Sequence, residues 1–214
     1  IPNSCDFHLF EPAATGGDFR REHPELGAGP IVLYAGTLGF VNGVDYLADL
    51  ARHVAAKRED VRFVILGAGI EYDKVRECAE RNEVLGRSLF MYEQLPKRDV
   101  VAAFGAAQIV TSLFIDLPEM EKNSANKFFD GLAAGRPIAL NYGGWQADLL
   151  SKYKAGLALP RDPASASDVL VDALGRPEQL QRMGANARAL GEARFSRDQL
   201  AEQLEKTLLA AIDR

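Results

Sequence analysis

A doubly wound, Rossmann-like α/β fold is predicted, with about six parallel strands, helices on both faces and extra helices at the C-terminus. Short apolar runs bounded by Gly, Pro or polar residues recur from Ile31 onward, the pattern of strands buried on both faces. Stretches with apolar residues at i, i+3 and i+4 alternate with them, so each strand feeds a crossover helix. The chain has 214 residues, 47% of them apolar, enough for a buried core.

In order, the strand runs are 31–34, 61–66, 88–91, 109–113, 138–140 and 157–159. The first ends at Gly36 and the second at Gly67. Val44, Leu47, Ala51, Val54 and Ala55 mark the first crossover helix, and Phe128 and Leu132 mark a later one. Residues 71–82, 97–106 and 146–154 also read as helices. The chain closes with helices over about 164–174, 177–190 and 196–212, the last with Ser196 at the N-cap position. Its stripe of Leu200, Leu204, Leu208 and Ile212 faces away from Asp198, Glu202, Glu205 and Lys206. That mixed polar face argues for packing on the sheet or on a missing partner domain rather than on a membrane.

Residues 1–29 read as linker or loop, with Pro12, Pro24, Gly16, Gly17, Gly27 and Gly29 among mixed charges. Residues 30–195 form the Rossmann-like domain and 196–214 the terminal helix. The start lacks Met and reads as the interior of a larger chain.

Composition excludes several classes. Lys and Arg number 25 against 30 Asp and Glu, a net charge of −5 without a clustered basic face, which argues against a nucleic-acid partner. No window of 18 apolar residues offers a membrane span, and no signal segment is visible. Cys5 and Cys78 cannot build a disulfide framework or a metal cluster. His8, His23 and His53 lack ligand spacing, so no metal site is expected. No Ser-His-Asp elbow or supported Cys-His pair occurs, and the carboxylates are too dispersed for a glycosidase pair. The expectation is an acidic, soluble domain of a reducing compartment.

Doubly wound sheets bind ligands at the carboxyl ends of their strands, so those loops carry the function. The first, residues 35–43, holds Gly36, Gly39 and Gly43 and opens a helix. It lacks the Gly-Lys-Ser/Thr of a Walker loop, and it reads equally as a phosphate cradle or a tight turn. The second, Gly67-Ala68-Gly69, is followed by Tyr72 where a dinucleotide fingerprint needs Gly or Ala, which argues against NAD or FAD.

The third loop is the most informative and spans residues 121–137. Asn123 or Ser124 suits an N-cap, leaving the N–H groups of Ser124, Ala125 and Asn126 to cradle a diphosphate. Lys127 opposes the helix dipole, a conflict that an anionic ligand would compensate. Asn126, Lys127 and Asp130 share one helix face. A carboxylate one turn beyond a phosphate site suits the hydroxyls of a ribose. An ordinary capped helix with a Lys–Asp pair is the plainer alternative.

The run from Asp130 through Gly131-Leu132-Ala133-Ala134-Gly135-Arg136 to Pro137 resembles the donor-site signature of family-4 (group 1) glycosyltransferases. Asn126-Lys127-Phe128-Phe129-Asp130 resembles a subgroup acting in bacterial surface-polysaccharide assembly. Ile1-Pro2-Asn3, Asp6, Phe10 and Pro12 resemble the linker between the halves of such enzymes. Gly36-Thr37-Leu38, Asn42-Gly43-Val44-Asp45, Gly67-Ala68-Gly69, Leu95-Pro96 and Gly143-Gly144 fall at family-like places. The likeness spans nearly the whole chain but only the C-terminal, donor-binding half of a GT-B enzyme.

The resemblance implies a set of roles. Lys127 and Asp130 would be catalytic. Gly36, Thr37, Gly39, Asn42, Lys122, Asn123, Ser124, Ala125 and Asn126 would hold the donor diphosphate and sugar. Tyr92, Glu93 and Gln94, with Asp130, would hold the nucleoside, and Trp145 either lines the cleft or packs. The family pattern has an acid eight residues before Asp130; here Lys122 stands there and Glu121 is one position off. Thr37 and Asn42 occupy positions where many members place Arg and Lys.

The implied donor is a nucleotide sugar, UDP-linked by preference, handled without a metal or other cofactor; no Asp-x-Asp metal motif occurs. The implied acceptor is a sugar or lipid-linked sugar bound by the missing N-terminal half, in polysaccharide, lipopolysaccharide or glycolipid synthesis. The implied location is the cytoplasm, with the full enzyme peripheral at the inner membrane face and no direct membrane insertion. A nucleotide-sugar epimerase or hydrolase of the same architecture, and a non-catalytic nucleotide-sugar-binding module, are the alternatives.

Overall fold

A computed structural model describes residues 2–10 and 16–212. Ile1, residues 11–15 and the last two residues, parts of the expected linker and terminal helix, lie outside the described residues. The strands are β1 (Ile31–Ala35), β2 (Arg62–Leu66), β3 (Leu89–Tyr92), β4 (Ile109–Ser112), β5 (Ile138–Leu140) and β6 (Gly156–Ala158). The helices are α1 (Gly16–Glu22), α2 (Tyr46–Ala55), α3 (Tyr72–Arg81), α4 (Lys97–Ala106), α5 (Asn126–Ala133), α6 (Trp145–Tyr153), α7 (Pro163–Leu174), α8 (Pro177–Arg194) and α9 (Arg197–Ile212).

All pairings in the six-stranded sheet are parallel, and its order is β3-β2-β1-β4-β5-β6. Strand side chains alternate between faces. Leu33, Val64, Val110 and Ile138 join one apolar cluster with Phe128 and Leu132 of α5 and Leu190 of α8. Tyr34, Ile65, Ile109 and Ala139 join the other with Leu47 and Val54 of α2, Val75 of α3 and Leu170 of α7. The winding reverses between β1 and β4, which opens a crevice at their carboxyl ends.

Helix α5 leads away from that crevice, and its sequence explains how closely it lies on the sheet. A Cβ on Gly131 would stand 2.7 Å from Ile138 Cγ1 and 2.8 Å from Val110 Cγ2. The helix stops where Gly135 turns left-handed, at φ 62°. The Gly135 N–H then bonds to the Leu132 carbonyl at 3.1 Å and the Arg136 N–H to the Gly131 carbonyl at 3.1 Å, the paired bonds of a Schellman stop. Pro137 leads directly into β5.

One stretch differs from the sequence expectation. Part of the segment expected as linker or loop is helical and packed: α1 lies against α4, Phe19 is 2% exposed and Leu26 fully buried. Arg20 donates to the carbonyls of Gly27 at 2.7 Å and Gly29 at 2.9 Å. Gly16, Gly17, Pro24 and Gly27 sit at the ends of the α1 helix and the following 3-10 turn, where they do not break structure. Along α9 only Leu200 of the apolar stripe is buried; Leu204, Leu208 and Ile212 are exposed. Among the described residues, no helix is long and apolar enough to cross a membrane.

Because α5 rests on the sheet through Gly131, Gly131→Ala is expected to lower unfolding stability by about 1–3 kcal/mol through overpacking. Urea titration followed by circular dichroism measures it.

Candidate functional site

The end of β1 and the amino end of α5 meet across the crevice. Tyr34 is buried, and its hydroxyl donates to the Thr37 carbonyl at 2.6 Å, fixing the first loop. The Lys127 ammonium lies 5.0 Å from the centre of the Tyr34 ring, within cation–π range. Gly36, at φ 150°, admits the lysine stem: a Cβ there would lie 2.5 Å from Lys127 Cε. Burial pushes the Lys127 amine down to about 8, and the Asp130 carboxylate pulls it partly back up.

These groups line a cavity of about 330 Å³. Of the residues nominated from sequence, Gly36, Thr37, Gln94, Asn126, Lys127 and Asp130 converge there. Its apolar wall, made by Leu66, Leu95, Val100 and Phe104 with Phe10, was not nominated. Val100 and Phe104 stand one turn apart on α4, a spacing legible in sequence, although periodicity does not say which helix flanks a ligand. A larger cavity of about 820 Å³ opens beside Pro30, Gln108 and Pro137, at the amino ends of the strands. Doubly wound sheets do not bind ligands at that end.

The remaining nominated residues are placed elsewhere. The expected helix start at Ser124 moves to Asn126, because the Asn123 side chain accepts the Ala125 N–H at 2.9 Å and holds Ala125 in extended backbone. This side-chain turn spends the Ala125 N–H and leaves the first-turn N–H groups of Asn126 and Lys127 without intrahelical acceptors. The Ser124 hydroxyl accepts from the Asn3 backbone. Asn42 is 8% exposed and folds back to accept the Gly39 N–H at 3.2 Å, so both shape the first loop from within.

Tyr92 turns away from the cavity. Its hydroxyl donates to Glu25 and its ring lies 4.3 Å from that of His23. Burial, with the Glu25 carboxylate adding to it, holds the phenol above its usual range. Glu93 is exposed and does not line the cavity. Glu121 and Lys122 are exposed on the 3-10 turn Pro118–Lys122, and Glu121 sits over the Gly143–Gly144 turn. Trp145 packs against Phe128, Phe129 and Phe195, and its indole N–H donates to the Asn123 carbonyl at 2.8 Å. Among the described residues, no group of three or more His, Cys, Asp or Glu could hold a metal ion.

Fold and cavity together define a Rossmann-like domain with a slot lined by one lysine and one aspartate at its topological switch point. The chain belongs to the glycosyl transferases group 1 family, whose sequence profile matches residues 17–190. It is 27% identical over 215 aligned positions to a D-inositol 3-phosphate glycosyltransferase of Xylanimonas cellulosilytica, covering 94% of this chain and 48% of that protein. The chain spans about half the length of the curated relatives it matches. Anabaena Alr3699/HepE, crystallised with UDP, superposes at a TM-score of 0.80 with 15% identity, over 97% of this chain and 56% of that one. The C-terminal domain of a glycosyl transferase group 1 protein from Francisella tularensis superposes at 0.70 with 13% identity, over 90% of this chain and 98% of that domain. The fold is that of the C-terminal half of a GT-B enzyme.

The seating of Lys127 has a spectroscopic signature. Its side-chain nitrogen is expected to titrate by NMR with a midpoint of about 8 instead of 10.5. Asp130→Asn should lower that midpoint further, since the Asp130 charge favours the ammonium.

Proposed function

We propose that the chain is the donor-binding half of a glycosyltransferase that takes a nucleoside diphosphate sugar, with UDP as the preferred nucleotide. The observation that carries this reading is the convergence of Gly36, Thr37, Asn126, Lys127 and Asp130 in one slot at the switch point. The structures of Anabaena Alr3699/HepE with UDP and with UDP-glucose, at TM-scores of 0.80 and 0.79, support the choice of nucleotide.

In this reading the base lies against Gln94 and Leu95, with Val100 and Phe104 as its apolar wall. Asp130 accepts from the ribose hydroxyls. The diphosphate rests on the amino end of α5, on the N–H groups of Asn126 and Lys127, with the Lys127 ammonium beside it. Catalysis is then chiefly leaving-group stabilisation. Negative charge growing on the departing nucleoside diphosphate meets donors that are already oriented. The acceptor, a sugar or lipid-linked sugar of a cell-surface polysaccharide or glycolipid, is bound by an N-terminal half. The exposed stripe on α9 is one surface that such a half would cover. The assembled enzyme works in the cytoplasm, at the inner face of the membrane when its acceptor is lipid-linked.

The position of Lys122 favours a second reading, a binding module without transfer. The family acid is replaced there, and neither Lys122 nor Glu121 lines the slot. Transfer by a full-length enzyme carrying this half, lost in Asp130→Ala, would exclude the second reading.

Calorimetry with UDP, GDP, ADP and NAD tests the binding claim. UDP is expected to bind selectively, and Lys127→Ala to weaken it about tenfold or more through loss of a charge-assisted contact. Selective NAD binding, or unchanged UDP binding in both Lys127→Ala and Asp130→Ala, would overturn the reading.

The pH dependence follows from the lowered Lys127 amine. The free protein sheds this proton as pH rises through about 8, whereas a bound diphosphate holds it on. UDP affinity should therefore fall as pH rises above about 8, and Lys127→Arg should remove the fall because a guanidinium stays charged.

A further inference from the structure

We infer that Asn3 is a positioning residue for the diphosphate end of the slot. It does so by clamping the Ser124–Ala125 peptide and fixing which end of the Asn126 amide faces the ligand. The inference rests on the proposed function and adds to it a residue 121 positions from Ser124 and 123 from Asn126, both of which it holds.

The geometry is specific. The Asn3 side-chain amide donates to the Ser124 carbonyl at 2.6 Å and to Asn126 Oδ1 at 2.8 Å. The Asn3 backbone N–H donates to Ser124 Oγ at 3.1 Å. On the other side of the same peptide, the Ala125 N–H is held by Asn123 Oδ1 at 2.9 Å. Carbonyl and amide of one peptide plane are thus pinned from opposite sides. The plane immediately precedes the Asn126 and Lys127 N–H groups, so its rotation sets their direction.

The second contact has a chemical consequence. A primary amide presents one acceptor and one two-proton donor. With Oδ1 of Asn126 committed to Asn3, the group left for a ligand is the Nδ2 donor, the end that suits an anion. Without Asn3 the Asn126 amide is free to rotate and present its oxygen, which repels a phosphate. Asn3 therefore contributes polarity as well as rigidity to the amino end of α5, while touching no ligand itself.

Asn3 is exposed, so its replacement is not expected to unfold the domain. The test compares UDP and uridine binding to the unmodified chain, Asn3→Ala and Asn3→Asp, by calorimetry with melting temperatures alongside. Asn3→Ala should weaken UDP about tenfold, the worth of one or two neutral hydrogen bonds, and leave uridine unchanged. Asn3→Asp should be at least as weak for UDP, because a carboxylate cannot donate to Ser124 or Asn126. A purely structural role would instead lower the melting temperature and weaken both ligands together, overturning the inference. An unchanged UDP-to-uridine ratio would overturn it too, with the donor-site reading intact. Failure of the unmodified chain to bind UDP would overturn the donor-site reading and this inference with it.

Discussion

A lysine ammonium seated over a tyrosine ring, with much of its water removed, is the constraint on which the rest of the site depends. Desolvating a cation is costly, and at this place the α5 dipole adds to the cost because Lys127 lies in the helix's first turn. The Tyr34 ring and the Asp130 carboxylate offset part of it. The remainder shows as an amine held near 8. A group in that condition gains when an anion arrives, because the anion restores the interactions that water supplied.

Every nearby feature of the backbone serves that seating. Gly36 leaves room for the lysine stem, and Tyr34 fixes the first loop through the Thr37 carbonyl. Gly131 lets α5 lie close on β4 and β5, and the Schellman stop at Gly135 returns the chain to the sheet within two residues. The apolar clusters on the two faces hold the sheet, and α5 rests on one of them. Stability and site thus come from different parts of one sequence motif: the small residues of 131–135 pack, and Asn126, Lys127 and Asp130 face the slot.

The sheet was legible because buried parallel strands write themselves as apolar runs and crossover helices as a 3.6-residue period. Lys127 and Asp130 were legible for a related reason: helical spacing puts them on one face, and a cation in a first turn is an anomaly that asks for a ligand. What escaped were side chains claimed by a loop's own backbone or by partners remote in sequence. Asn42 reads as a ligand contact until its side-chain oxygen is seen to accept the Gly39 N–H within the loop. Tyr92 reads as a base contact until Glu25 and His23 claim it. The helix at residues 16–22 was hidden by glycines that fall at its end, while Phe19 supplied the burial. The start of α5 moved because Asn123 closes a turn on Ala125 rather than capping the helix. Local sequence offers both options, and the Trp145 contact to the Asn123 carbonyl fits the one observed.

Charge accounting at the slot shows what a diphosphate would have to rely on. Lys127 and Asp130 are the charged side chains in its lining, and they cancel. The first loop offers Thr37 and an internally bonded Asn42, neither of them cationic. A multiply charged ligand would then be held mainly by dipoles: the first-turn N–H groups, the α5 macrodipole and the Asn126 amide. Dipoles compensate charge well only when they are already oriented, since turning them at the moment of binding or reaction consumes the energy they supply. The bonds from Asn3, Asn123 and Trp145 onto one short stretch of loop are the means of that orientation. In a slot with one cation, rigidity of the loop takes over the work that a second positive charge would otherwise do.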